Sequence, residues 1–332
     1  MRALCYDPDA PAGLRLADTV EPVPGADEAL VAIRAIALNV GEVTGLAERK
    51  QPGDVLGWDA AGVVVQPAAD GSGPPAGAGV STFGWAGGWA ELRAVPTAEL
   101  AVVPAGVDLG AASTLPAAGV TALQVLRALG SVLGRRVLVT GASGGVGGFA
   151  VQLAALAGAE VVASVSSPAR ADGLAGLGAA EIVVGLENLS APVYGIMDTV
   201  GGPQLAEAFM HLERGGVVQV IGMASGEPVP LGERQRWGRS WRAESFVFGT
   251  PVGTDLKYLV KLLAAGRLDP QIGWRGAWNR APEAAKALLA REFTGRAVLD
   301  VPLHAQACPE RSRRTELGRP RGGPVRCDTR RR

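Results

Sequence analysis

The sequence predicts an α/β protein, in which a parallel sheet is covered by helices on both faces and follows a compact, mostly β region. Two observations support this fold class. Residues 1–103 contain short β-like runs separated by Pro and Gly clusters such as EPVPGAD and PAADGSGPPAGAG. Beyond Leu115, strand-like and helix-like segments alternate, which is typical of a parallel sheet covered on both faces. A chain of 332 residues, with 48% hydrophobic and 19% charged residues, suits two domains.

The individual elements follow in order along the chain. The first region has four apolar runs with β character, at EALVAIRAIAL, AAGVVVQ, AELRAV and ELAVV. The second begins with helix TALQVLRALG, strand RVLVT, helix FAVQLAALAG and strand EVVASV. Shorter units continue the alternation through EIVVG, GIMDTVG and GGVVQVIG. The two regions therefore differ in their predicted secondary structure, as two separate domains would.

Three features bear on location and on partners. The three cysteines, Cys5, Cys308 and Cys327, are far apart and odd in number, which favours a reducing cytosol over a disulfide framework. The amino terminus has no apolar stretch of the length of a secretory signal, so a cytoplasmic protein is expected. The uncharged run from Val137 to Ala159 is long enough for a membrane span, but its glycines and polar residues argue against one.

Charge is distributed unevenly, although the formal net charge is zero. Residues 303–332 hold nine arginines and three acidic residues, which leaves 23 basic and 29 acidic residues, a charge of −6, on the rest of the chain. This tail lacks apolar periodicity and aromatic residues, so we expect a disordered basic tail and no nucleic-acid partner.

A glycine turn separates the strand at Val137–Val139 from the helix that follows. Glycine lets the backbone approach a pyrophosphate closely, and the free N–H groups at a helix start favour negative charge. Strand, turn, helix and second strand occur in the order that a dinucleotide site requires. The turn predicts cofactor contacts at Gly141, Ser143, Gly144, Gly145, Val146 and Gly147.

The end of the second strand indicates which dinucleotide is bound. An NAD site usually has an acidic residue there to bind the ribose hydroxyls, and this sequence has none. Hydroxyl groups and one guanidinium group occur instead, and both can bind a 2′-phosphate. The predicted cofactor is therefore NADPH, held here by Ser164, Ser166, Ser167 and Arg170. Alternatively, Arg170 is a solvated residue that pairs with Asp172.

The glycine turn alone fits two families. TGxxxGxG from Thr140 is the pattern of short-chain dehydrogenases, whereas Gly141-x-x-Gly144-x-x-Gly147 resembles the zinc-free medium-chain reductases. A short-chain enzyme would carry the turn near its amino terminus and a Tyr-x-x-x-Lys pair further on. No lysine lies four residues after any of the tyrosines, Tyr6, Tyr194 and Tyr258, so the short-chain alternative fails.

Residues 1–302 resemble the quinone oxidoreductase group of medium-chain dehydrogenases/reductases. The landmarks that match, in order, are ALNVGEV, GWDAAGVVV, GGWAELRAVP, LPAAGVTAL, the glycine turn, DTVGG, VVQVIGMASGE and TGRAVLDV. The resemblance implies a Rossmann-type doubly wound parallel sheet inserted in a GroES-like mostly β domain. It places the first part of the catalytic domain at 1–112, the dinucleotide domain at 113–250 and the second catalytic part at 251–302. It also makes a homodimer possible, with residues near Phe246 to Phe248 as the candidate contact.

A catalytic zinc is not expected. Zinc-dependent relatives have a Cys-Gly pair where this chain has Leu38 to Gly41, and a His where it has Trp58. Only two histidines occur, His211 and His304, and no CxxC cluster supplies a structural site. His211 is expected on a helix surface rather than in catalysis.

The resemblance implies NADPH-dependent hydride transfer to a quinone or an α,β-unsaturated carbonyl, without metal. It places Asn39 and Thr121 beside the nicotinamide and the substrate as catalytic residues. Alternatively, Asn39 is a turn residue bonded to its own backbone, and Thr121 only begins a helix. It adds cofactor contacts for which ordinary core packing is an alternative at the apolar positions: Val200, Ile221, Gly222, Met223, Phe248, Gly249 and Arg296.

Two departures from the family weaken the substrate prediction. Residues 42–50 hold no tyrosine, although many quinone reductases have one shortly after the Asn-containing segment. The tryptophans are candidates for a flat apolar pocket, or for core and subunit contacts: Trp58, Trp85, Trp89, Trp237, Trp241, Trp274 and Trp278. Two further functions stay open, an enoyl-thioester reductase of the same superfamily and an NADPH-binding sensor with little turnover.

Overall fold

The computed structural model describes residues 1–236 and 240–302. The basic tail, with Cys308, Cys327 and His304, lies outside the described residues, as does Trp237. The strands are β1 (Arg2–Tyr6), β2 (Leu14–Asp18), β3 (Glu28–Leu38), β4 (Asp59–Gln66), β5 (Gly79–Phe83), β6 (Leu92–Pro96), β7 (Leu100–Val102), β8 (Arg136–Thr140), β9 (Glu160–Val165), β10 (Ala179–Val184), β11 (Val193–Asp198), β12 (Leu212–Val220), β13 (Trp241–Ser245), β14 (Ile272–Ala277) and β15 (Arg296–Asp300). The helices are α1 (Val40–Val43), α2 (Leu46–Arg49), α3 (Leu109–Ser113), α4 (Val120–Leu129), α5 (Gly145–Leu156), α6 (Gly202–Ala208), α7 (Glu233–Arg236), α8 (Gly253–Ala264) and α9 (Ala281–Leu289).

A seven-stranded sheet combines strands from early and late parts of the chain. Its main path runs β14-β15-β3-β4-β5-β7, and β6 pairs with the amino-terminal half of β3. Strand β15 lies antiparallel beside β3, with Ala297 opposite Leu38. The last described strand therefore completes a mostly β layer that begins near residue 28.

A second sheet of six strands has the order β10-β9-β8-β11-β12-β13, and all its neighbouring strands are parallel. Successive side chains of a strand point to opposite faces of the sheet. Val137 and Val139 of β8 accordingly pack with residues of α4, α5 and α8, whereas Leu138 packs with residues of α6. The predicted parallel sheet covered on both faces is confirmed.

The order of strands in this sheet sets where a ligand can bind. From β8 the chain moves to β9 and β10 on one side and then returns to β11 on the other side of β8. Such a reversal opens a crevice at the carboxyl ends of the strands, between β8 and β11. The glycine turn follows β8 directly, so it lies at this crevice.

Two expectations can be placed on this fold. The uncharged run from Val137 to Ala159 forms β8 and α5, and no helix in the described ranges has the length and apolarity of a membrane span. At the sheet edge, β13 is largely exposed, but Phe246 and Phe248 just beyond it pack against the core. The predicted contact at Phe246 to Phe248 is therefore not a free edge, and a dimer remains a prediction.

Candidate active site

The glycine turn is tight because two of its glycines leave no room for a side chain. Gly141 has a φ of +62°, and a Cβ atom there would lie 2.4 Å from Oγ1 of Thr199. A Cβ atom on Gly147 would lie 2.2 Å from the carbonyl oxygen of Gly141. No side chain caps α5, since its N-cap residue is Gly144. The first amides of α5 therefore lie at the crevice without a side-chain partner from the cap.

Arg296 lies against the start of α5. A Cβ atom on Gly145 would lie 2.8 Å from Cδ of Arg296, and Gly295 donates its N–H to the carbonyl of Ser143 at 2.9 Å. Arg296 is 4% exposed, and its buried Nε has no hydrogen-bond partner among the described residues. An unpaired guanidinium N–H beside a helix amino terminus is a fitting environment for an anion. The residues present therefore fit the pyrophosphate of a dinucleotide.

The end of β9 presents polar groups, as predicted, with one correction. Ser166 is exposed and Ser167 is partly buried. Ser164 is fully buried, and its Oγ accepts a hydrogen bond from Nε2 of Gln204 at 3.0 Å. The expectation that Ser164 faces a phosphate is corrected, because its hydroxyl is covered and held by α6.

Arg170 joins the glycine turn to the segment before β15. Its Nε donates to Oγ of Ser143 at 3.0 Å, and its terminal nitrogens donate to the carbonyls of Arg291 at 2.9 Å and Phe293 at 3.2 Å. The suggested pairing with Asp172 is not among these bonds. Since a guanidinium has five N–H donors, two remain without a partner within the described residues. Arg170 is half-buried and can still bind a phosphate.

The loops after β11 and β12 complete the crevice. The buried carboxylate of Asp198 accepts the Thr140 hydroxyl at 2.6 Å and the Gly201 N–H at 2.9 Å, and burial raises the pKa of Asp198. This turn brings Val200 beside Gly141. The other predicted residues of this group, Ile221, Gly222 and Met223, follow β12, and Met223 is 79% exposed. Arg291 reaches the same loop and donates to the carbonyl of Ala224.

Asn39 belongs to a buried network of charged groups that we call the Asn39 network. It consists of Asn39, Glu42, Asp59 and Arg296. Nδ2 of Asn39 donates to Glu42 at 2.7 Å and to Asp59 at 2.9 Å, and its Oδ1 accepts from Arg296 at 2.8 Å. Asp59 also accepts from Arg296 at 3.1 Å and from the N–H of Ala117 at 2.8 Å. Both amide hydrogens of Asn39 therefore have carboxylate acceptors, so donation to a substrate oxygen requires that one of them be released.

Glu42 and Asp59 were missed by sequence reasoning, although both are at least 95% buried. Burial and the neighbouring Asp59 raise the pKa of Glu42 to about 8, against the hydrogen bonds from Asn39 and Trp58. Burial also raises the pKa of Asp59 to about 6, although Arg296 opposes the shift. One signal for Glu42 was available, because an acidic residue three positions after an N-cap residue is a common helix-start pattern. The network can therefore take up a proton near neutral pH.

The raised pKa of Glu42 predicts that stability falls as the pH rises from about 6.5 to 8.5. In the unfolded chain Glu42 is already ionised over this range, whereas the folded protein holds the proton until about pH 8. We expect Tm to fall by about 3 °C or more across this range. Glu42→Gln should remove this dependence of Tm on pH. The variant should also be less stable than the wild type at every pH, because the NH₂ group of the glutamine must face an N–H donor.

Thermal melts at several pH values test this prediction. Glu48→Gln, at an exposed glutamate of α2, is the matched control and keeps the wild-type slope. Parallel profiles for Glu42→Gln and the wild type would show that Glu42 does not titrate in this range.

Thr121 and the pair Phe248 and Gly249 lie at the same end of α4. Thr121 is the second residue of α4 and is 8% exposed. One turn later, Gln124 accepts the N–H of Gly249 at 3.0 Å and donates to its carbonyl at 2.9 Å. Thr121 is therefore three residues from the side chain that anchors Gly249, and its place beside the nicotinamide stays a prediction.

The tryptophans separate into two groups. Trp58 and Trp85 pack together, with ring centroids 5.3 Å apart. Trp89 and Trp278 are buried in the core of the mostly β layer, Trp274 packs under Arg280, and Trp241 packs on Phe209. Within the described residues, the expectation of a tryptophan-lined pocket is therefore limited to Trp58 and Trp85. His211 immediately precedes β12 and so lies at the amino end of that strand, away from the crevice.

Comparison with known proteins identifies a matching family and several similar sequences. The family described as "Zinc-binding dehydrogenase" matches residues 145–265. The putative quinone oxidoreductase YhfP of Bacillus subtilis is 39% identical over 156 residues, and the acrylyl-CoA reductase AcuI of Ruegeria pomeroyi is 36% identical over 156 residues. Each of these two matches covers 43% of this chain and 47% of the relative, so the match spans about half the length of those proteins.

Two further comparisons cover most of the chain. The chloroplastic quinone-oxidoreductase QR1 of Triphysaria versicolor is 31% identical over 328 residues, which cover 90% of this chain and 98% of QR1. The solved structure of the quinone oxidoreductase from Coxiella burnetii superposes with a TM-score of 0.80 at 25% identity. It covers 91% of this chain and 99% of that one.

The matched family description implies zinc, but the residues present do not fit one. The segment from Leu38 to Gly41 holds no cysteine, and Trp58 cannot be a zinc ligand. Across residues 1–236 and 240–302, no three His, Cys, Asp or Glu side chains form a group that could hold a metal ion. Glu42 and Asp59 are instead engaged by N–H donors. We therefore assign no metal-dependent step to this site.

Proposed function

Because this chain belongs to the quinone oxidoreductase group of medium-chain dehydrogenases/reductases, we propose that it is an NADPH-dependent reductase of quinones or α,β-unsaturated carbonyls. The observation that carries the proposal is the uncapped start of α5, with the unpaired Nε of Arg296 buried against it. A buried cationic donor of this kind suits a bound pyrophosphate. The two remaining donors of Arg170 suit a 2′-phosphate.

Bound NADPH supplies the hydride, and the chain supplies binding, orientation and charge. Gly145, Val146 and Arg296 hold the pyrophosphate, and Ser166, Ser167 and Arg170 hold the 2′-phosphate. The remaining contacts come from the loops after β11 and β12. These groups would position the cofactor, which is the main contribution that a metal-free hydride transfer needs.

In the proposed mechanism, Asn39 and Thr121 lie beside the acceptor. Glu42 accepts a hydrogen bond from Nδ2 of Asn39, and it holds its own proton until about pH 8. A protonated carboxyl is a weaker acceptor than a carboxylate, so one amide hydrogen of Asn39 can be released below that pH. That hydrogen can then stabilise the negative charge that develops on the acceptor oxygen.

Arg170→Ala is expected to raise the KM for NADPH by about 10- to 100-fold, the usual effect of losing charge-assisted hydrogen bonds. The KM for NADH should change less than about twofold, since NADH has no 2′-phosphate. Steady-state kinetics with both coenzymes measure this. Arg135→Ala is the matched control, because Arg135 lies at the amino end of β8, where it pairs with Glu213. An unchanged preference for NADPH would exclude Arg170 as the phosphate ligand.

A panel of acceptors tests the reaction itself. NADPH oxidation is measured with quinones, enones and a short enoyl thioester, and saturable turnover with a quinone or an enone supports the proposal. Faster turnover with the thioester would favour the second candidate, an enoyl-thioester reductase, for which the similarity to acrylyl-CoA reductase AcuI is the motivation. Tight NADPH binding without turnover on any acceptor would indicate a sensor instead.

A further inference from the structure

Four aromatic side chains pack together beside the crevice, and we call them the Trp85 cluster. They are Trp58, Phe83, Trp85 and Phe248. The Trp85 ring meets Trp58, Phe83 and Phe248 at centroid distances of 5.3, 5.0 and 5.6 Å, and all three contacts are edge to face. Phe83 is 1% exposed, whereas Trp85 is 54% exposed. The cluster therefore presents one large aromatic surface to solvent.

The cluster lies next to the residues proposed for catalysis. Trp58 directly precedes Asp59 of the Asn39 network, and its ring covers Gly41, where a Cβ atom would lie 3.0 Å from Cη2 of Trp58. Phe248 precedes Gly249, which is bonded to Gln124 one turn after Thr121. The cluster therefore connects the vicinity of Asn39 with that of Thr121, and it joins the mostly β layer to the parallel-sheet layer.

The loop that carries Trp85 is fixed by a buried arginine. Arg93 is 3% exposed, and its guanidinium donates to the carbonyl of Trp58 at 3.0 Å and to the carbonyl of Ala86 at 3.1 Å. Oγ1 of Thr82 accepts a further hydrogen bond from Arg93 at 3.0 Å, and the carboxylates of Asp59, Glu42 and Glu99 oppose the effect of burial on the guanidinium. Burial lowers the pKa of Arg93 to about 10.

Because Arg93 holds the carbonyls of Trp58 and Ala86, it fixes the backbone at Trp58 and next to Trp85. Gly84 makes room for the contact, since a Cβ atom there would lie 2.3 Å from a terminal nitrogen of Arg93. The exposed position of Trp85 is therefore built into the fold.

Exposed apolar residues are adjacent in sequence to residues that this cluster contacts. Val40, just before Gly41, is 48% exposed, and Val247, just before Phe248, is 83% exposed. A large exposed apolar side chain such as Trp85 is a candidate surface for an apolar ligand. Aromatic rings prefer to pack with other rings by offset stacking or edge to face. The indole of Trp85 offers such a surface for a further ring.

We propose that Trp85 is a specificity-determining residue whose exposed indole stacks on the acceptor, so that the site prefers planar aromatic quinones to enoyl thioesters. This rests on the proposed function, because it assumes that the acceptor lies near Asn39 and Thr121. A short enoyl thioester has no ring to place on the indole. The affinity of the site for such a thioester should therefore not depend on Trp85.

Binding measurements with the full chain test the proposal. The Kd of 9,10-phenanthrenequinone is measured by equilibrium dialysis in the presence of NADP⁺, which prevents turnover. The second probe is the N-acetylcysteamine thioester of crotonate, which has no ring, whereas a CoA thioester carries adenine. Trp85→Ala should weaken quinone binding by about 3- to 10-fold, the value of one aromatic contact. Trp85→Phe should retain affinity within about twofold, because a ring remains. The Kd of the crotonyl thioester should be the same in all three proteins.

The matched control is Trp274→Ala, since Trp274 lies in β14 and packs under Arg280, away from the Trp85 cluster. Equal quinone affinity in Trp85→Ala and the wild type would overturn the proposal, as would an equal loss for the crotonyl thioester. Tighter binding of the crotonyl thioester than of the quinone by the wild type would also overturn it. If quinone binding depends on Trp85 while no acceptor is reduced, the stacking surface stands and the proposed function fails.

Discussion

Asp59→Ala is expected to lower the free energy of unfolding by about 3–5 kcal/mol, the usual cost of removing one partner of a buried ion pair. Asp59 is fully buried and accepts hydrogen bonds from Arg296, Asn39 and Ala117. Without it, Arg296 keeps its charge in the interior with only Oδ1 of Asn39 as an acceptor. The damage should extend to β15, since Arg296 begins that strand.

The size of the loss should depend on what replaces the pair. Asp59→Asn keeps an oxygen for Arg296 and should cost less than Asp59→Ala. The double variant Asp59→Ala with Arg296→Met removes the unpaired charge, and it should recover part of the stability that Asp59→Ala loses. Denaturant unfolding of the wild type, these three variants and the single variant Arg296→Met measures this. Additive losses in the double variant would mean that the two side chains are not coupled in the folded protein.

Local pattern was enough to predict most strands of the fold. EALVAIRAIAL, RVLVT and EVVASV coincide with β3, β8 and β9 to the residue. Each is a mostly apolar run rich in residues that favour β-strands, so the local sequence alone indicates it. Helix α5 begins at Gly145, four residues before the predicted helix, because glycines that disfavour a helix in isolation are used here for close packing.

The sequence predicts those site residues that directly follow a strand. It does not predict the hydrogen-bond partners that are far apart along the chain. The glycine turn, Ser166, Ser167 and Arg170 follow their strands directly, so their place at the crevice follows from the parallel sheet. Two of the partners of Arg170, the carbonyls of Arg291 and Phe293, lie more than 100 residues away, and Asp59 and Arg296 are separated by 237 positions. Ser164 lies within β9 and its hydroxyl accepts from Gln204, whereas Ser166 lies beyond the strand, and the sequence of one strand does not indicate the contact with Gln204.

Gly147→Ala is expected to lower affinity for NADPH by about 100-fold and to destabilise the protein by about 1–3 kcal/mol. The new Cβ atom would lie 2.2 Å from the carbonyl oxygen of Gly141 and 2.8 Å from Cα of Ala142. Both are backbone atoms, so no side-chain rotation relieves the contact. Helix α5 must move away from β8, and its first amides move with it. This displacement disrupts the proposed binding site for the pyrophosphate.

Gly148→Ala is a stringent control, because it adds the same methyl group to the same helix one residue later. Its Cβ atom would meet Cγ of Gln271 at 3.7 Å and the carbonyl oxygen of Ala142 at 4.0 Å, which are ordinary contacts. Since alanine favours a helix over glycine by about 1 kcal/mol, Gly148→Ala should be as stable as the wild type or more so. Coenzyme titration by fluorescence and thermal melts of both variants distinguish them. Equal coenzyme affinity in Gly147→Ala and Gly148→Ala would mean that the close approach of α5 to the turn is not what holds the dinucleotide.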